Sequence, residues 1–100
     1  MGHTKKPQTL PRTIALVAHD NCKRDLVEWV RWNAKALEHH KLVCTGTTGG
    51  LIINALEEEG FSDQVTVERL KSGPLGGDLQ LGALIAEQKV DILIFFWDPM

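Results

Sequence analysis

The sequence is poor in everything that would suit nucleic acid, a membrane or a metal. Lysine and arginine number 11 against 13 acidic residues, a net charge of −2, and the basic residues form only the pairs Lys5-Lys6 and Lys23-Arg24. Without a basic stripe there is no electrostatic footprint for a phosphate backbone or an anionic bilayer. No apolar run approaches the ~20 residues of a membrane span. The polar N-terminus has no signal-peptide core, and Lys6 stands where a myristoylation pattern needs serine or threonine. Cysteines are two, Cys22 and Cys44, with neither a CxxC pair nor metal-ligand spacing, which fits a reduced, cytoplasmic protein without a metal. No internal repeat or low-complexity segment breaks the chain.

One domain is what 100 residues permit, and 43% apolar with 24% charged residues is ordinary for a globular protein. Residues 1–11 read as a flexible arm and 12–100 as the domain. Thr13-Ile-Ala-Leu-Val-Ala18 is a short apolar run that suits a buried strand. Residues 21–37 carry Leu26, Val27, Val30, Ala34 and Leu37 at helical spacing, so a first helix is expected there. A second strand is expected at 42–45. The second helix covers 51–59 with Leu51, Ile52, Ala55 and Leu56 inward and Gly60 as its stop. A third strand at 65–71 is less apolar and suits an edge. A third helix spans 78–88, with Leu81, Leu84 and Ile85 on one face, and a fourth, almost wholly apolar strand spans 90–97 and suits a central place. Strand and helix in strict alternation imply an α/β fold with a parallel sheet and right-handed crossovers.

The polar and glycine-rich residues fall where such a sheet binds ligands. Each predicted strand runs at its carboxyl end into a cluster: His19-Asp20, Thr45-Gly-Thr-Thr-Gly-Gly50, Ser72-Gly-Pro-Leu-Gly-Gly-Asp78, and Asp98-Pro99. Thr45 to Gly50 offers hydroxyls and backbone N–H groups to a phosphate or carboxylate; it is neither a Walker A loop nor GxGxxG, and a tight turn with a threonine cap explains it equally well. Lys23 and Arg24 open the first helix, where the dipole disfavours cations by roughly 0.3–1 kcal/mol each. A bound anion would explain Lys23; so would a solvated surface lysine. Asp20 is a candidate N-cap, and His19 a candidate acid or electrophile or a structural histidine. Asp78 follows three glycines and a proline and is a candidate base or N-cap. Asp98 lies at the mouth of the last strand or forms an Asx turn. His39-His40 reads as a solvated helix end, Trp29 and Trp32 as core or interface, and Glu57-Glu-Glu59 as a solvated face.

In combination the strings Ile14-Ala-Leu-Val-Ala-His-Asp20 with Cys22-Lys23, Thr45-Gly-Thr-Thr-Gly49, Ser72-Gly-Pro-Leu-Gly-Gly-Asp78 with Gln80, and Asp91-Ile-Leu-Ile-Phe-Phe-Trp-Asp-Pro99 make the chain, over about residues 12–100, resemble the methylglyoxal synthase family. That resemblance implies a three-layer α/β sheet of order 3-2-1-4-5, with the fifth strand absent from these residues. It implies conversion of dihydroxyacetone phosphate to methylglyoxal and inorganic phosphate, no cofactor or metal, and a homo-oligomer, typically a hexamer, inhibited by phosphate. By the same resemblance Asp78 matches the catalytic base. His19, Lys23, Thr45, Gly46, Thr47, Thr48, Ser72 and Gly73 match substrate-binding positions, and Asp20 and Asp98 match active-site carboxylates. Family chains continue past Asp98-Pro99 with a second active-site histidine, so the 100 residues alone are expected to be inactive and prone to association. Two rivals stand beside the enzyme: a phosphate-ligand-binding regulatory module of the same fold, as in large carbamoyl-phosphate synthetases, and an inert fragment. A pure sensor has no need of Asp78 or of the loop at Asp98.

Overall fold

A computed structural model describes residues 11–97; the predicted arm, apart from Pro11, and Asp98 lie outside the described residues. Four strands, β1 (Thr13–Ala18), β2 (Lys41–Cys44), β3 (Thr66–Arg69) and β4 (Ile92–Phe96), pair in parallel in the order β3-β2-β1-β4. Between them run α1 (Lys23–Trp32), α2 (Gly46–Glu59) and α3 (Gly77–Ala86). The α/β sheet and its order agree with the sequence expectation.

Period-two alternation divides the sheet residues between two layers. Ile14, Leu16, Leu42 and Cys44 meet Leu26 and Val30 of α1 and Ile52 and Leu56 of α2 on one face. Ala15 and Val43 meet Leu81 and, at their margin, Leu84 of α3 on the other. Burying a Leu or Ile side chain contributes roughly 1.5–3 kcal/mol, so the first face, with two helices, carries most of the core. The second has one short helix, and Leu79, Ile85, Leu93, Phe95 and Trp97 are exposed around it. β4 was expected at the centre on composition; among the described residues it is an edge, with β1 its neighbour.

Several boundaries move for local reasons. The first helix stops at Trp32, not 37: Ala34 and Leu37 are buried from a run of turns, and His39 adopts φ 69°. The His39–His40 pair is therefore not a helix end; the His39 N–H donates to Gln64 O at 2.6 Å, and His40 Nδ1 accepts the Arg12 N–H at 2.9 Å. α2 begins at Gly46, five residues before the apolar pattern, so the glycine-threonine string is its opening. Leu51 and Ile85, expected inward, are 40% and 42% exposed. Trp29 meets Phe96 edge to face at 6.0 Å, whereas Trp32 is 88% exposed. Gly60 ends α2 at φ 82°, as its position suggested.

Both cysteines are buried, and among the described residues neither is in a disulfide. Burial pushes the Cys44 thiol up to about 12, against a small opposing effect of its hydrogen bond with the Leu16 backbone. A thiol whose folded value is raised holds its proton where the unfolded chain, near 9, releases it. Its contribution is therefore complete below pH 9 and lost as pH rises from 9 towards 12. At pH 8 a maleimide is expected to leave Cys44 unmodified in the folded protein and to react after urea unfolding, as read by mass spectrometry; equal labelling in both states would contradict its burial.

Two glycines give a matched stability test. A Cβ on Gly77 would lie 1.9 Å from Lys71 O, whereas one on Gly82 meets nothing within 4 Å. Gly77→Ala is expected to destabilise by about 2 kcal/mol or more through forced backbone movement, and Gly82→Ala to stabilise by roughly 0.5–1 kcal/mol in the interior of α3. Urea unfolding of both variants checks the contrast, and equal midpoints would contradict it.

Candidate active site

A cleft of about 530 Å³ opens along the carboxyl edge of the sheet. β1 delivers His19 and Asp20 to it, β2 runs into Thr45, Thr47 and Thr48, β3 into Ser72 and Gly73, and α3 contributes Asp78. Lys23 reaches in from the start of α1. Nine of the sequence candidates thus share one cavity. Gly46 is the exception among the described ones: it is absent from the lining, and a Cβ there would lie 2.9 Å from Ser72 N. Its lack of a side chain lets the start of α2 approach the segment after β3. Val17, Ala18 and Asn21 also line the cleft. Asn21 was missed because, following Asp20, it read only as the beginning of a helix.

The alternatives left open by the sequence resolve one by one. Thr45 occupies the N-cap position of α2 but makes no side-chain cap. Its carbonyl accepts the Gly49 N–H at 2.7 Å, and the Gly46 N–H donates to Lys71 O at 3.2 Å. The Thr47 and Thr48 N–H groups have no acceptor among the described residues. Thr48 is only 2% exposed, yet its hydroxyl has no hydrogen-bond partner among the described residues. A buried, unsatisfied polar group calls for an explanation. The dipole of α2 adds positive potential at the same place.

Asp20 is not an N-cap. It opens a 3-10 turn (Asp20–Cys22), and its Oδ1 lies 3.1 Å from Lys23 Nζ. The Asp20 side chain is 99% exposed and that of Lys23 25%, so this pair adds little to stability. Its consequence is local: Lys23 is held at the cleft with a partner that water can readily replace. Asp78 is not an N-cap either. Gly76, at φ 107°, occupies that position, and Asp78 stands in the first turn of α3. Its carboxylate lies over Gly73, 3.4 Å from where a Cβ would be. His19 stands edge to face with Phe95, ring centroids 5.3 Å apart, and its N–H donates to Phe96 O at 3.0 Å. β4 thereby fixes both the ring and the backbone of His19.

Chemically, the cleft joins a half whose groups suit an anion (Lys23, the opening of α2) to a half with groups that can move a proton (Asp78, His19). Among the described residues no helix is long and apolar enough to cross a membrane.

The chain is similar to known proteins in sequence and in fold. The methylglyoxal synthase of Proteus mirabilis is 55% identical over 89 residues, covering 89% of this chain and 54% of that protein. That of Maridesulfovibrio salexigens is 54% identical over 96 residues, covering 89% and 60%. The crystal structure of methylglyoxal synthase from Elizabethkingia anophelis superposes with a TM-score of 0.75 at 56% identity, covering 90% of this chain and 55% of that one. The chain thus spans little more than half the length of these relatives. The family model described as MGS-like domain matches residues 25–100, from the first turn of α1 through the last strand, and on that match the chain belongs to the MGS-like domain family.

Proposed function

We propose that the cleft is the dihydroxyacetone phosphate site of a methylglyoxal synthase, a carbon–oxygen lyase that releases methylglyoxal and inorganic phosphate. The buried hydroxyl of Thr48, without a hydrogen-bond partner among the described residues, beside the Thr47 and Thr48 N–H groups, which have no acceptor among them, and Lys23, carries this reading, because a phosphate would satisfy all of them at once. Asp78 removes a proton from the hydroxyl-bearing carbon next to the carbonyl. The electron pair of that C–H bond forms the enediolate, whose oxygen takes hydrogen bonds from donors in the cleft, His19 among them. The hydroxyl on the deprotonated carbon then gives up its proton and becomes the aldehyde carbonyl, the C=C pair shifts to the carbon on the far side of the former carbonyl, that carbon's C–O bond to phosphate breaks with phosphate taking the pair, and the enol product tautomerises to methylglyoxal. Expulsion requires that C–O bond to stand perpendicular to the enediolate plane, so the grip on the phosphate helps decide the outcome. Asp20 exchanges with the substrate for Lys23, and Asp98 completes the carboxylate set. The same proposal includes inhibition by inorganic phosphate, a homo-oligomer and a cytoplasmic location. A phosphate-sensing module would use the same grip; Asp78 over Gly73 is what favours an enzyme.

In the full natural chain, Asp78→Asn is expected to lower turnover by at least ~10²–10⁴-fold and to leave the affinity for a phosphoglycolate analogue nearly intact. A coupled assay for methylglyoxal and phosphate reads the first and calorimetry the second; near-normal turnover would sink the assignment. Lys23→Ala and Thr48→Ala are expected to weaken the same analogue by roughly 1–3 kcal/mol each. Unchanged dissociation constants in both would move the phosphate elsewhere.

A further inference from the structure

One cation near the cleft remains unexplained. Arg69 closes β3, in register with Cys44, and so projects to the face that α2 covers. It makes no ion pair among the described residues, and it does not line the cleft. Its side chain lies across the opening of α2, where the helix dipole disfavours a cation. Two observations account for that position. Nε donates to Gly46 O at 2.6 Å, a charge-assisted bond onto the first residue of the helix. The path is kept open by the absence of side chains: a Cβ on Gly49 would lie 2.8 Å from Arg69 Cγ, and one on Gly50 3.0 Å from Nη2. Gly49 and Gly50 therefore make room for Arg69, and neither lines the cleft.

We propose that Arg69 is the positioning residue of the phosphate grip, holding the first turn of α2 through Gly46 O so that Thr47 and Thr48 present their N–H and hydroxyl groups to the anion. The proposal rests on the phosphate site inferred above. Arg69 acts through Gly46 and touches no substrate. The turn is otherwise held by backbone bonds, Gly49 N–H to Thr45 O at 2.7 Å and Gly46 N–H to Lys71 O at 3.2 Å, with no side-chain cap from Thr45, so Arg69 is the side chain that ties it to β3. Gly46, Gly49 and Gly50, conformationally permissive, would leave this turn free to open. The guanidinium bridges the edge strand and the helix start and removes that freedom before the anion arrives.

Calorimetric titration of the full natural chain with inorganic phosphate, well below the unfolding temperature, tests this with Arg69→Lys and Arg69→Met. Lysine keeps the charge and stem but has no Nε donor. Both variants are expected to bind phosphate about five- to tenfold more weakly, with kcat on bound substrate much less affected. Wild-type affinity in Arg69→Lys with weakening only in Arg69→Met would show that charge, not the bond, matters, and would overturn the proposal. Wild-type affinity in both would overturn it as well. Gly49→Ala, which pushes the arginine stem aside without altering residue 69, is expected to weaken phosphate in the same range, and an unchanged affinity there would contradict the proposal independently. Failure of the wild-type protein to bind phosphate would instead remove the site itself, an outcome distinct from any difference among variants.

Discussion

The peptide at Lys71-Ser72 is gripped from both faces of the sheet, and the rest of the edge depends on that grip. Lys71 O accepts the Gly46 N–H at 3.2 Å from the start of α2, and the Lys71 N–H donates to Gln80 Oε1 at 2.8 Å from α3. Ser72 O accepts the Gly77 N–H at 2.8 Å. A Cβ at either glycine would collide with this segment, at 2.9 Å for Gly46 and 1.9 Å for Gly77. The glycines of the two rich strings thus serve the approach of chain to chain. An open parallel sheet normally leaves a crevice at its carboxyl edge; here backbone contacts fix its walls before any ligand binds.

That arrangement sets the chemistry. With β3 seated between the two helix starts, Ser72 and Gly73 face Thr45, Thr47 and Thr48 across one cleft, and Asp78 is carried over Gly73. The donors that close no bond within α2 collect at one end. A carboxylate stands near the other, and His19 is fixed from the side by Phe95 and Phe96. The proposed function uses this separation of donors from carboxylate, since fixed donors stabilise an oxyanion as it forms.

Much of this was legible in the sequence because strand and helix patterns alternate cleanly and the polar clusters fall at strand ends. β1 at Thr13–Ala18 and the parallel pairing follow from that alternation, whereas the order 3-2-1-4 was an expectation from the family resemblance. The misreadings have physical causes. Glycine lowers helix propensity, so Gly46 to Gly50 read as a loop, although tertiary contacts with Arg69 and Ser72 make it the opening of α2. Ala34 and Leu37 keep helical spacing but are buried from turns. Asp20 and Asp78 look like caps because the residue type suits caps; the structure gives one to Lys23 and sets the other in the first turn of α3, past the cap. Arg69 could not be found by motif, since its meaning lies in Gly46, Gly49 and Gly50, about twenty residues away.

The central claim is that an anion settles against the opening of α2 inside this cleft. Amide-resolved NMR of the isotopically labelled full natural chain, titrated with inorganic phosphate, tests it most directly. The expected result is saturable shifts concentrated at Thr47, Thr48, Gly49, Gly73 and Lys23, with residues remote from the cleft, such as Trp32 and His40, unmoved. Shifts scattered over the surface, or confined to residues outside the cleft, would contradict it.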